Sequence, residues 1–167
     1  MDIPAVKPPL SKDLKGASQT STWEYQSIIG VLNYISGSSR PKIAYANHSA
    51  ASFSANPKSS RDKGVKKIIK YLKGTKENVL IRYSKNDKGL ECFVDADFEV
   101  GWSTNESDDT ASVYSRAGYI IKYRNYLILW ASKLQYEISL STTEAEYIAL
   151  SQEMREIIPM IEHLEQL

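Results

Sequence analysis

Two acids, Asp95 and Asp97, close an apolar stretch, Leu90-Glu91-Cys92-Phe93-Val94-Asp95-Ala96-Asp97. Two positions apart on a strand, they share a face. Two more, Glu144 and Glu146, open a second stretch, Ser141-Thr142-Thr143-Glu144-Ala145-Glu146-Tyr147-Ile148-Ala149-Leu150. Carboxylates brought together from a strand end and a helix start are hard oxygen ligands that suit a divalent cation. The same residues also have a plainer reading. A glutamate on a helix flank is usually solvated, and Asp-x-Asp at a strand end is often a turn.

The helix is announced by Ser141 and Glu144, which are spaced as a capping box. Behind them Tyr147, Leu150, Met154, Ile157, Ile161 and Leu164 recur at three-four spacing, one face of a helix. With Tyr147 at zero and about 100° per residue, this stripe centres near about 310°, with Glu146 about 50° from the centre and Glu144 about 110° from it. Glu146 is therefore expected to lean toward the packing face, where a carboxylate needs a partner, a proton or a metal. Pro159 is expected to kink or end the helix.

Upstream, residues 1–20 read as an extended leader, since Pro4, Pro8 and Pro9 forbid a continuous helix. Ser21 or Thr22 can cap a helix carrying Trp23, Ile28, Ile29, Leu32 and Ile35, which stops near Ser36-Gly37-Ser38-Ser39. Pro41 starts a second helix, rich in alanine and expected to end at Asn56-Pro57. His48 lies on it and reads as a surface or packing residue. A third helix runs from about Ser59 to Lys73, with Val65, Ile68, Ile69 and Leu72 on its apolar face and Lys63, Lys66, Lys67, Lys70 and Lys73 over the remainder. Such a surface suits phosphate backbones, although a solvated lysine face is the commoner explanation of the pattern.

Beyond Val79 the period changes. Residues 79–83 and 90–94 read as strands about a turn at 86–89, and 101–112 as a polar surface loop. Residues 118–123 and 126–130 read as two strands joined by Arg124-Asn125 in a hairpin. Helices followed by three strands and a helix give an α+β class with mainly antiparallel pairing.

Net charge over 167 residues is +1, but residues 1–90 carry +10 and residues 91–167 carry −9. The basic half points to a polyanion partner and the acidic half to metal chemistry; mutual attraction of the halves explains the division equally well. A single cysteine, Cys92, excludes an internal disulfide and a cysteine zinc site, and fits a reducing compartment. No apolar run reaches the length of a membrane span.

Several segments, in order, resemble the Pol polyprotein of copia-type LTR retrotransposons. Tyr25-Gln26-Ser27-Ile28-Ile29-Gly30-Val31-Leu32-Asn33-Tyr34 is similar to the segment after the polymerase palm. Arg40-Pro41-Lys42-Ile43-Ala44-Tyr45-Ala46 resembles an Arg-Pro-Asp-Ile-Ala-Tyr-Ala element, with Lys42 in place of the Asp. Val65 to Thr75 resembles the family's basic helix. Val94-Asp95-Ala96-Asp97-Phe98, Ser115-Arg116-Ala117-Gly118-Tyr119, Trp130-Ala131-Ser132-Lys133 and Ser141-Thr142-Thr143-Glu144-Ala145-Glu146-Tyr147 resemble its ribonuclease H signatures.

The resemblance implies an extended leader over 1–20, a helical reverse transcriptase connection or thumb-like region over 21–88, and a truncated ribonuclease H-like domain over 89–167. It implies a parent activity, cleavage of RNA in RNA–DNA hybrids by two magnesium ions, with manganese as the substitute. Asp95 and Glu146 then correspond to the first two metal-binding catalytic acids, with Asp97 as a helper. The expected partners are hybrid or duplex nucleic acid, contacted by Lys63, Lys66, Lys67, Lys70 and Lys73, and the remainder of Pol, in a cytoplasmic particle or the nucleus and not at a membrane. The family's site needs two further aspartates beyond this helix, and residues 148–167 contain no Asp. The chain is thus expected to be a fragment or remnant without useful cleavage. The alternatives are a non-catalytic nucleic-acid-binding module and a domain that associates with another Pol chain.

Overall fold

The computed structural model describes residues 3–5, 16–17, 24–78, 89–98 and 113–166. The chain divides into two compact units, Met1–Leu80 and Ile81–Leu167. The expected cap at Ser21 or Thr22, Trp23, the strand over 79–83 and the loop over 101–112 lie outside the described residues.

The first unit is helical. Helix α1 (Tyr25–Ser38), a 3-10 turn (Pro41–Ile43), α2 (Ala44–Ala51) and α3 (Ser59–Gly74) follow in order. Tyr25, Ile29 and Leu32 of α1, Ile43, Ala46 and Ala50, and Val65 and Ile68 of α3 form one buried cluster. Alanines on α2 let it approach α1 closely, and the buried Tyr25 hydroxyl donates to the Ala50 carbonyl at 2.9 Å. Burial pushes that phenol up to about 12, so the hydroxyl stays a donor.

Two boundaries differ from expectation. Pro41 opens a 3-10 turn before the α-helix proper begins at Ala44. The α-helix also stops at Ala51, short of Asn56-Pro57. The amides of Phe53 and Ser54 bond three residues back, to Ala50 and Ala51, which tightens the last turn ahead of a proline that disfavours helix in the residue before it. Phe53 then receives the Arg61 guanidinium over its ring at 4.0 Å. Of the expected leader, Ala5 accepts from the Lys67 ammonium at 2.6 Å and Ala17 from the Ser59 amide at 3.0 Å.

The second unit holds an antiparallel sheet in the order β1 (Leu90–Asp97), β2 (Arg116–Tyr123), β3 (Tyr126–Leu134), followed by α4 (Thr142–Glu165). Together with the helical unit this is the expected α+β arrangement. Arg124 and Asn125 join β2 to β3 with φ of 48° and 66°, the left-handed pair that a two-residue hairpin turn demands. The register shifts at Ile121/Lys122.

Helix α4 starts as its capping box foretells. The Ser141 side chain accepts from the Glu144 amide at 3.1 Å, while the Glu144 carboxylate takes the Leu140 amide, one residue before the cap. Its remainder departs from expectation in continuing past Pro159 and in the face it buries. Pro159 sits inside a continuous helix to Glu165; the turn it interrupts is solvent-exposed, where water can take the carbonyl that proline leaves without a donor. The buried face is also not the apolar stripe. Ala145, Ala149 and Glu153 are the buried residues, whereas Tyr147, Leu150, Met154 and Ile161 are exposed. Small side chains let the helix axis come close to the sheet, over Ala117 and Ile121 of β2, which a row of large residues would prevent.

Candidate functional site

Strand alternation fixes where the acids of β1 lie. Cys92 Sγ donates to Glu153 Oε1 of α4 at 3.2 Å, so Cys92, Val94 and Ala96 form the face that α4 covers. Phe93, Asp95 and Asp97 occupy the opposite face and are exposed. There Asp95 stands opposite Gly118 and Asp97 opposite Arg116.

Glu146 is on the other side. It precedes Glu153 by two helical turns, about 10.5 Å along the axis and at nearly the same azimuth. Cys92 to Asp95 spans about 10 Å of strand. The start of α4 lies at the Asp97 end of the sheet, because Gln135, just past β3, donates to the Ala145 carbonyl at 2.7 Å and Arg116 pairs with both Asp97 and Leu134. Glu146 is therefore about level with Asp95, but the strand stands between them. Glu146 shares the azimuth of Glu153 but is exposed, so its carboxylate is not enclosed, contrary to what the helical wheel leads one to expect. Among the described residues β1 has a partner on one side only. Among the described residues no three His, Cys, Asp or Glu side chains group as metal ligands.

Among the described residues of the second unit the buried acid is Glu153, which the pattern of charges in the sequence does not single out. Burial is the main cause that raises its carboxyl above the ordinary 4.5, and the adjacent Glu156 adds to it. Its Oε2 is buried with no hydrogen-bond partner among the described residues. Burial, and then the bond to Glu153, pushes the Cys92 thiol up to about 12. Tyr119 on β2 is likewise raised to about 12, by burial first and the charges of Glu156 and Glu153 next. A signal for Glu153 was present in the line Ala145, Ala149, Glu153 at intervals of four, which marks a narrow face of close approach. Beside it a cleft of about 280 Å³ opens between β2, β3 and α4, lined by Tyr119, Lys133, Arg155 and Glu156 among others. None of Asp95, Asp97 and Glu146 lines it.

In the helical unit, Lys63, Lys66, Lys70 and Lys73 are exposed on α3. Their spacing of three, four and three sets them in one row about 15 Å long. Lys67 differs: it is half-buried and tied to the Ala5 carbonyl. No described helix is long and apolar enough to cross a membrane.

Similarity to known proteins covers nearly the whole chain. It is 35% identical over 86% of its length to a retrovirus-related Pol polyprotein from transposon TNT 1-94 of Nicotiana tabacum. It is 32% identical over 89% of its length to a retrovirus-related Pol polyprotein from transposon RE1 of Arabidopsis thaliana. In both cases it spans only 10% of the relative. A secreted RxLR effector protein of Plasmopara viticola is 29% identical over 80% of the chain, and here the match covers 89% of the relative. No family model matches, and no solved structure does.

The enclosed carboxyl leads to a pH-dependent stability. A raised folded-state value means that the folded chain keeps a proton that the unfolded chain gives up. The contribution of Glu153 is full below the ordinary carboxyl range and is lost as pH rises through its folded value. Thermal melts from pH 4 to pH 8 should therefore show Glu153→Gln gaining stability relative to the native chain as pH increases. A constant difference across the range would show that Glu153 titrates in the folded chain as it does in the unfolded one.

Proposed function

We propose, from the premise that this chain is related to a short stretch of retrotransposon Pol polyproteins, that it binds nucleic acid through α3. We further propose that its ribonuclease H-like half does not cleave RNA by itself. What supports this reading is that Asp95 and Asp97 lie on the exposed face of β1 while Cys92 on the other face meets α4, and that among the described residues no three such side chains group as metal ligands. Two-metal hydrolysis needs carboxylates that bridge and flank both ions a few ångströms apart. Magnesium surrenders its waters reluctantly and stays loosely held unless several anionic oxygens surround it. Asp95 and Glu146, with Asp97 beside Asp95, can offer at most one weak site without further acids.

The nucleic-acid part rests on the lysine row. Four exposed ammonium groups along about 15 Å match roughly four nucleotide steps of one strand at 3.4 Å each. Such contacts carry no base information and make the affinity fall with salt.

Two measurements test this reading. The purified chain, incubated with a labelled RNA–DNA hybrid in magnesium or manganese, should give no cleavage above that of an Asp95→Asn, Glu146→Gln double variant. Cleavage by the native chain that disappears in the variant would overturn the reading. In binding, hybrid affinity should fall with salt, and replacing Lys63, Lys66 and Lys70 by alanine should lower the slope by about one for each phosphate that is no longer neutralised. An unchanged slope in the triple variant would remove α3 from the interface.

A further inference from the structure

Among the described residues the outward face of α4 takes no part in the candidate site and carries a row of exposed apolar side chains. Tyr147, Leu150, Met154, Ile158 and Ile161 are 70%, 47%, 44%, 43% and 40% exposed. On a helix they fall within about 80° of one another, a seam about 21 Å long. Scattered exposed apolar residues need no explanation, but an ordered seam of this width has the form of a helix–helix contact.

Charge indicates what lies on it. Glu144 and Glu162 border the seam on one side, Glu146 borders it on the other, and Glu165 stands at its far end; all four are exposed. Against six glutamates the helix carries one arginine, Arg155, and one histidine, His163. A second copy of the same face would set carboxylate against carboxylate along both rims. An anionic membrane surface would meet the same repulsion. A helix whose apolar seam is flanked by cations meets both requirements, since the apolar rows interdigitate while the rims attract.

We infer that the exposed seam of α4 is a docking surface for an amphipathic helix of a partner protein, flanked by lysine or arginine. This is independent of nucleic-acid binding by α3 and of any metal at the edge of β1. The glutamates steer the encounter and fix orientation; the seam supplies the burial.

The test uses the full chain and two synthetic helices with the same leucine seam, one flanked by lysine and one by glutamate. Fluorescence anisotropy should show the lysine-flanked helix binding, with affinity that falls with salt, and the glutamate-flanked helix at least about tenfold weaker. A Leu150→Ser, Met154→Ser variant should lose about tenfold or more for the lysine-flanked helix, while its melting temperature stays that of the native chain, because both side chains face outward. A Glu144→Gln, Glu162→Gln variant should weaken the lysine-flanked helix and leave the other unchanged. Equal binding of the two helices, no binding of either, or a melting temperature that collapses in the serine variant would overturn the inference. Self-association that disappears in the serine variant would assign the seam to a second copy and overturn it as well.

Discussion

The second unit depends on how closely α4 approaches the sheet, and that approach is set by three side chains in line, Ala145, Ala149 and Glu153. The two methyl groups permit close contact with Ala117 and Ile121 of β2, all of them buried. Glu153 then meets Cys92 of β1. A carboxylate in that position would be charged, dry and only half hydrogen-bonded, so the fold favours the protonated acid. The same contact fixes the rotation of the helix, and thereby turns the Leu150–Met154 seam outward. Exposure of the seam and the raised carboxyl are two consequences of one packing choice.

Where order is local, the sequence was readable. The Ser141–Glu144 box, the Arg124-Asn125 hairpin, the course of α3 and its lysines, and the three-strand order all follow from side chains acting within a few residues of themselves. Rotation of α4 about its axis is not local. A wheel weighted by hydrophobicity follows Tyr147, Leu150, Met154 and Ile161, whereas the sheet selects the small residues on another side. Alanine contributes little to such a wheel, yet it decides how near two elements can come. Pro159 misleads for a related reason: it ends helices where the freed carbonyl would be buried, and here the turn is wet.

Of the candidate site, Asp95 and Asp97 were readable as partners on one face, and Glu146 as a member of the helix start. Their relation across β1 was not, because it requires knowing which parity of the strand the helix covers. Cys92 settles this through its bond to Glu153. The similarity to Pol polyproteins of tobacco and Arabidopsis transposons adds a lineage to these acids. It spans about a tenth of those proteins, so the chemistry of the whole does not pass to this stretch by similarity alone.

Asp95 and Glu146 are proposed to hold, together, no more than one weakly bound ion. Titration of the isotope-labelled chain with manganese, followed by broadening of backbone amide resonances, reads this directly. The expected result is joint broadening around Asp95–Asp97 and Glu146 at one site, with a dissociation constant in the millimolar range. Two ions bound in the micromolar range at these residues would contradict the account.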